Sequence, residues 1–232
     1  MIIKIEREKL IEPLKNIVGV SEKKQTMPIL GNVLLITKAN KLRLVVSDLE
    51  VEISTDVDFD TTEAINTTLP SRKFLDILKS LPGTEQVTIE IGDSKATIKS
   101  GKSRFVLATL PGSDFPYQES EASYDCKVSA EVLDTLINQT AFSMAVQDAR
   151  HFLNGLFFEV TDSRITVVAT DGHRLSMSAS DLKNSAEKTS CIIPRKCIME
   201  IKRILTSFKD NKEILVDFSI TKTDIFIKID QY

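Results

Sequence analysis

The sequence predicts an α+β protein made of two homologous domains, each with antiparallel sheets and helices on one side of them. Three observations carry that reading. The 232 residues are 42% hydrophobic and 27% charged, the mix of a folded protein long enough for two ordinary domains. Apolar residues alternate along most of the chain and take helical spacing in only four stretches. Similar features also recur at an offset of 123 residues, Asp48 with Asp171 and Arg72 with Arg195.

Three separate features recur near this offset. Ile29-Leu30-Gly31-Asn32-Val33-Leu34-Leu35 is echoed by His151-Phe152-Leu153-Asn154-Gly155-Leu156-Phe157-Phe158. After each comes an alternating apolar strand, then Ser47-Asp48 or Thr170-Asp171, then a second strand. Leu69-Pro70-Ser71-Arg72-Lys73 is matched by Ile193-Pro194-Arg195-Lys196, where a strand end meets proline, a basic residue pair and a helical pattern. The polar stretch 118–123 separates the copies, giving domain one over 1–120 and domain two over 121–232.

Each domain divides again into two units of one strand, one helix and a run of strands. A strand over 2–5 leads into a helix over 7–18, with Leu10, Ile11, Leu14, Ile17 and Val18 on its apolar face. Pro13 inside that pattern predicts a kink or a late start. Strands follow near 33–37, 42–47 and 50–57. The second unit opens with a strand at 64–69 and a helix from Ser71, read as its cap, to about 81, where Pro82-Gly83 stops it. Strands near 86–91, 94–99 and 103–110 complete it. Domain two repeats the plan, with helices near 130–143 and 195–208. Gly92-Asp93-Ser94 and Thr161-Asp162-Ser163 read as hairpin turns. Domain one finishes with a strand, Pro111 and Phe115-Pro116-Tyr117. No such ending follows residue 229, so the last strand of domain two is expected to be missing and the chain to be a fragment or truncated product.

Composition excludes several classes. No apolar run approaches the roughly 18–20 residues that span a bilayer. The first six residues lack the features of a signal peptide, which predicts a cytoplasmic protein. Cys126, Cys191 and Cys197 form no Cys-x-x-Cys pair, and His151 and His173 are the only histidines, so neither a metal site nor a cofactor is expected. The thiols read as buried or half-buried in a reducing compartment. No Gly-x-x-x-x-Gly-Lys-Ser/Thr loop is present for nucleotide hydrolysis. Asp171, His173 and Ser176 or Ser143 could assemble a hydrolase, but there is no Gly-x-Ser-x-Gly elbow and Asp-Gly-His reads as a turn between strands. No catalytic residue is expected.

The net charge of −3 hides an uneven distribution. The second helix carries Arg72, Lys73 and Lys79 against Asp76. The fourth carries Arg195, Lys196, Lys202 and Arg203 against Glu200. The third has Glu131 and Asp134 and no base, while residues 47–63 hold seven acids and no base. Basic helix faces opposed by acidic strands would attract phosphates on one side only. Without interleaved aromatics or a recognition-helix pattern, the contact expected is with the backbone of a duplex, salt-sensitive and indifferent to sequence.

Gln25-Thr26-Met27-Pro28-Ile29-Leu30-Gly31-Asn32 resembles the signature near the start of the bacterial β sliding clamps, the β subunits of DNA polymerase III. Ser103-Arg104-Phe105, Leu110-Pro111 and Asp114-Phe115-Pro116 resemble the end of their first domain. Phe142-Ser143-Met144, Leu153-Asn154-Gly155 and Ala169-Thr170-Asp171-Gly172-His173-Arg174-Leu175 resemble their second. The likeness covers the whole chain. It implies the DNA clamp fold, with antiparallel sheets outside and helices lining a concave inner face. It also implies a non-enzymatic processivity factor that encircles duplex DNA and tethers the polymerase III catalytic subunit, the clamp loader and other proteins bearing clamp-binding motifs. By position, the resemblance puts DNA contacts at Lys24 and Gln147, with Arg72, Arg150 and Lys196 as further candidates. It puts half of a partner-peptide groove at Leu153, Thr170, Gly172, His173, Arg174 and Leu175. Members of the family have three domains, and two protomers close head to tail into a ring. The third domain is absent from these 232 residues. The expectation is therefore a truncated clamp that closes no ring by itself and binds motif peptides poorly. The alternative is an interaction module derived from a clamp that no longer encircles DNA.

Overall fold

The computed structural model describes residues 1–21, 27–38, 40–59, 61, 63–83, 86–117, 119, 123–124, 126–182, 188–208, 211 and 213–232. It divides into two compact units, Met1–Glu119 with Tyr232, and Ser120–Gln231.

In the first unit, β1 (Ile2–Glu6) runs into α1 (Arg7–Ile17), followed by β2 (Asn32–Lys38), β3 (Lys41–Ser47) and β4 (Glu52–Asp58). The second half has β5 (Asn66–Pro70), α2 (Ser71–Ser80), β6 (Gln86–Ile91), β7 (Lys95–Ser100), β8 (Ser103–Ala108) and the short β9 (Leu110–Pro111). Every pairing is antiparallel, and the halves exchange their first strands. One sheet has the order β1-β6-β7-β8 and the other β4-β3-β2-β5-β9. Thus β1 pairs with the second half's β6, and β5 with the first half's β2.

The second unit repeats this exchange. Its elements are β10 (Cys126–Ser129), α3 (Ala130–Thr140), β11 (Gly155–Thr161), β12 (Arg164–Thr170), β13 (Leu175–Asp181), β14 (Thr189–Pro194), α4 (Arg195–Ser207), β15 (Leu215–Ile220) and β16 (Ile225–Ile229). The sheets are β10-β15-β16 and β13-β12-β11-β14. Among the described residues, each has one strand fewer than its counterpart in the first unit.

The helices sit where their apolar faces can be buried. In α2, Phe74, Leu75 and Leu78 are buried, each contributing about 1.5–3 kcal/mol. Helix α1 packs on α2, and α3 on α4. Pro13 neither delays nor ends α1, which runs unbroken through it. Ser71 is not the cap of α2. Extended Pro70 holds that position, and the buried Ser71 hydroxyl donates to the Gly31 carbonyl at 2.9 Å. In α3, by contrast, the Ser129 side chain does cap the helix, accepting from the Val132 N–H at 3.3 Å.

The acidic stretch is less exposed as charge than the sequence implies. Arg43 faces Asp56 across β3 and β4 in a two-pronged pair of 2.7 and 2.8 Å, and Lys41 is in register with Asp58. The Arg43 bonds hold the Asp56 carboxyl below its usual range. Cys126 is buried, and Cys191 and Cys197 are half-buried. No helix among the described residues is long and apolar enough to cross a membrane.

Candidate functional site

The strongest concentration of predicted site residues lies in the second unit, in the segment 141–154 after α3 and the turn 171–174 between β12 and β13. The turn is built by short-range acceptors. The Asp171 carboxylate takes the N–H groups of His173 and Arg174 at 2.9 and 3.0 Å, and Arg174 Nε at 3.0 Å. Those bonds, the His173 N–H first, hold its carboxyl below the usual range. The Thr170 hydroxyl donates to the Arg174 carbonyl at 2.7 Å and accepts from the Gly172 N–H at 3.1 Å. Gly172 turns the chain at φ +88°, the left-handed region that glycine enters without cost.

This commitment disposes of the hydrolase arrangement. Asp171 is a turn-forming residue engaged by backbone N–H groups and by Arg174, not an orienting partner for an imidazole. Ser143 and Ser176 do meet, at 2.7 Å between hydroxyls, but as a link from the segment after α3 to β13.

Arg174 ties the turn to that same segment. Its Nη2 donates to the Phe142 carbonyl at 2.7 Å, and its guanidinium lies 5.7 Å from the centre of the Phe142 ring. On the other side, a Cβ at Gly172 would lie 3.1 Å from Arg150 Nη2, so the Arg150 guanidinium rests against the glycine. Asp148 holds Arg150 there, accepting from its Nε at 3.0 Å, Nη2 at 2.9 Å and backbone N–H at 2.8 Å. The Arg150 bonds lower the Asp148 carboxyl to about 2.

The predicted residues therefore do not separate into two independent sites. Arg150, expected to face DNA, lies on Gly172, expected to line a peptide groove. Among the groove candidates, Leu175 is exposed at 65% while Leu153 is buried at 7%, so Leu153 supports the wall from beneath. Phe142, Val146, Phe152, Leu175 and Met177 are all more than half exposed, a concentration of apolar surface unusual for solvated loops. Gln147 is exposed and left-handed, at φ 57°. Lys196 lies half-buried in the first turn of α4. In the first unit, Arg72 is partly committed, donating to the Ser21 carbonyl from Nε at 3.2 Å and Nη2 at 2.6 Å. Lys24 lies outside the described residues. Sequence reasoning named Phe142 and Asn154 only within motifs, with no role at the site, and passed over Asp148. Only Asp148-x-Arg150 spacing carried a signal, since an acid two residues before an arginine can accept its backbone and side-chain N–H groups together.

Two units of this build, each of two strand-exchanged halves with paired helices and antiparallel sheets, define a DNA clamp fold. A sliding clamp of Pseudomonas aeruginosa, solved bound to griselimycin, matches with a TM-score of 0.91 at 38% identity, covering 100% of this chain and 62% of that one. A Caulobacter crescentus clamp matches with 0.91 at 30%, covering 100% of this chain and 63% of that one. Residues 1–119 match the DNA polymerase III beta subunit, N-terminal domain, and residues 127–232 match its central domain. The chain belongs to the DNA polymerase III beta subunit family. It is 43% identical over 205 residues to the beta sliding clamp of Pseudomonas aeruginosa, covering 87% of this chain and 56% of that protein. The beta sliding clamp of Escherichia coli is 38% identical over 203 residues, again 87% of this chain and 56% of that protein. The chain thus spans about half the length of the curated relatives it matches.

Proposed function

We propose that this chain, with clamp domain one over 1–120 and clamp domain two over 121–232, serves as part of a cytoplasmic sliding clamp. In that role it holds duplex DNA without reading sequence and tethers a replicative polymerase. The observation that carries the reading is that a proline followed by a basic pair opens both helices, Pro70 with Arg72-Lys73 at α2 and Pro194 with Arg195-Lys196 at α4, which puts bases in the first turn of corresponding helices in two homologous units. A moderate and distributed positive charge suits retention by topology, because many tight phosphate contacts would brake sliding. Lys24, Arg72, Gln147, Arg150 and Lys196 are the proposed DNA contacts. The curved inner face, the clamp loader as a partner and the head-to-tail homodimer of three-domain protomers belong to the same proposal.

Leu153, Thr170, Gly172, His173, Arg174 and Leu175, with Phe142 added, are proposed as one wall of a groove for an extended partner peptide. Exposed apolar side chains beside a fixed guanidinium favour a segment with apolar anchors and an acceptor for Arg174. The same surface favours the second reading, an interaction module that does not encircle DNA.

Fluorescence anisotropy with labelled duplexes of unrelated sequence separates the two readings. Equal affinities that weaken together as salt rises support the clamp. Undetectable binding at low salt, with a clamp-motif peptide still bound in a Leu175-dependent way, leaves the interaction module. Peptide affinity is expected to be weaker than low-micromolar.

A further inference from the structure

We propose that Asn154 is a positioning residue that braces the segment 144–154 so that Gln147 and Arg150 are presented together. The Asn154 carboxamide makes a reciprocal pair with both backbone groups of one residue, Asp148. The Asp148 N–H donates to Asn154 Oδ1 at 2.9 Å, and Asn154 Nδ2 donates to the Asp148 carbonyl at 2.8 Å. A side chain thereby imitates the exchange of bonds between neighbouring strands. Both backbone groups of Asp148 are held, and the residues on either side inherit the consequence.

On the N-terminal side is Gln147, one of four described non-glycine residues with positive φ. Left-handed backbone is disfavoured for a side chain of this kind, and it persists only where surrounding bonds fix the chain. On the C-terminal side is Arg150, whose guanidinium is gripped by the same Asp148. The base of the brace is itself anchored. The Asn154 carbonyl accepts the Arg195 N–H at 2.9 Å at the start of α4, and the Ala145 N–H donates to the Leu153 carbonyl at 3.0 Å. Asn154 thus connects the rigid start of α4 to the two exposed side chains of the segment. It is half-buried and needs to touch no ligand to act.

That Gln147 and Arg150 meet DNA rests on the proposed function; that Asn154 holds them does not. Two measurements on the full chain keep these apart. Amide hydrogen exchange reads the brace itself. In Asn154→Ala the Asp148 amide is expected to exchange roughly tenfold faster or more while the amides of β11 and β12 are unchanged. Asn154→Asp keeps the acceptor and loses the donor, so the Asp148 amide stays protected. Unchanged exchange at Asp148 in Asn154→Ala overturns the proposal, as does a loss of protection spread over the whole second unit. Anisotropy with short duplexes then reads the consequence by introducing Asn154→Ala into the native chain and into a chain carrying both Gln147→Ala and Arg150→Ala. Asn154→Ala is expected to weaken binding by the native chain and to have no further effect in the doubly substituted one. An equal loss in both means that Asn154 acts independently of Gln147 and Arg150 and overturns it. A native chain that binds no duplex defeats the DNA reading, and the exchange arm still decides the brace.

Discussion

Gly172 and Asp148 concentrate the chemistry of the second unit at the scale of single residues, because each makes Arg150 sit where it does. Gly172→Ala would place a methyl group 3.1 Å from the Arg150 guanidinium on a backbone at φ +88°. The conformational penalty alone is about 1–2 kcal/mol. Thermal unfolding should show that loss, and peptide binding should weaken as Arg150 is displaced; unchanged stability would mean that the turn relaxes freely. Asp148 carries a pH dependence whose sign follows from its lowered pKa. Its contribution to the segment is complete above the unfolded carboxyl's value near 4, and is lost as pH falls toward about 2. Carbon-detected titration of the Asp148 carboxyl should give a midpoint near 2, with the Arg150 side-chain N–H signals changing in step. A midpoint at the ordinary carboxylate value would show that the pair does not form in solution.

Elements were far more legible in the sequence than the bonds that organise them. Alternation and helical spacing located all four helices, and the strands β1 to β8 of the first unit, to within a few residues, because both periods record which side of an element meets the core. The exchange of β1 and β5 between halves was invisible, since periodicity reports a strand's faces and not its neighbour. The cap of α2 was misread because Ser71 at a helix start satisfies a local rule, whereas its hydroxyl serves a carbonyl forty residues away. Exchange also sets what a core substitution costs. Phe158 in β11 and Phe218 in β15 lie in different sheets of the second unit, with ring centres 5.1 Å apart and both side chains fully buried. Removing Phe218 leaves a void that neither sheet can fill by moving alone. Phe218→Ala should therefore cost about 3–5 kcal/mol, read by chemical denaturation. A cost near that of a surface change would mean that the two sheets collapse onto each other independently of this ring pair.

Charge distribution decides the behaviour of the whole molecule more than its sum does. A net charge of −3 would repel a phosphate polymer if it were spread evenly. Instead, the acids of β4 are partly answered by Arg43 and Lys41 on β3, while the bases that open α2 and α4 stand at equivalent positions of the two units. The sequence pointed to Arg72 and Arg150, yet it did not reveal that both already have protein acceptors. That difference has a measurable form. With Lys24, Arg72 and Lys196 each neutralising one phosphate, the logarithm of duplex affinity should fall with log salt at a slope near −2.7, about a 40-fold weakening between 50 and 200 mM. Lys196→Ala should make the slope shallower by about 0.9. Arg150→Ala should change it less, because its charge is already opposed by Asp148 at 2.9 Å. Gln147→Ala, which removes no charge, should weaken binding and leave the slope intact. A slope near zero, or a strong preference for one duplex sequence over another, would remove the electrostatic basis for a protein that slides.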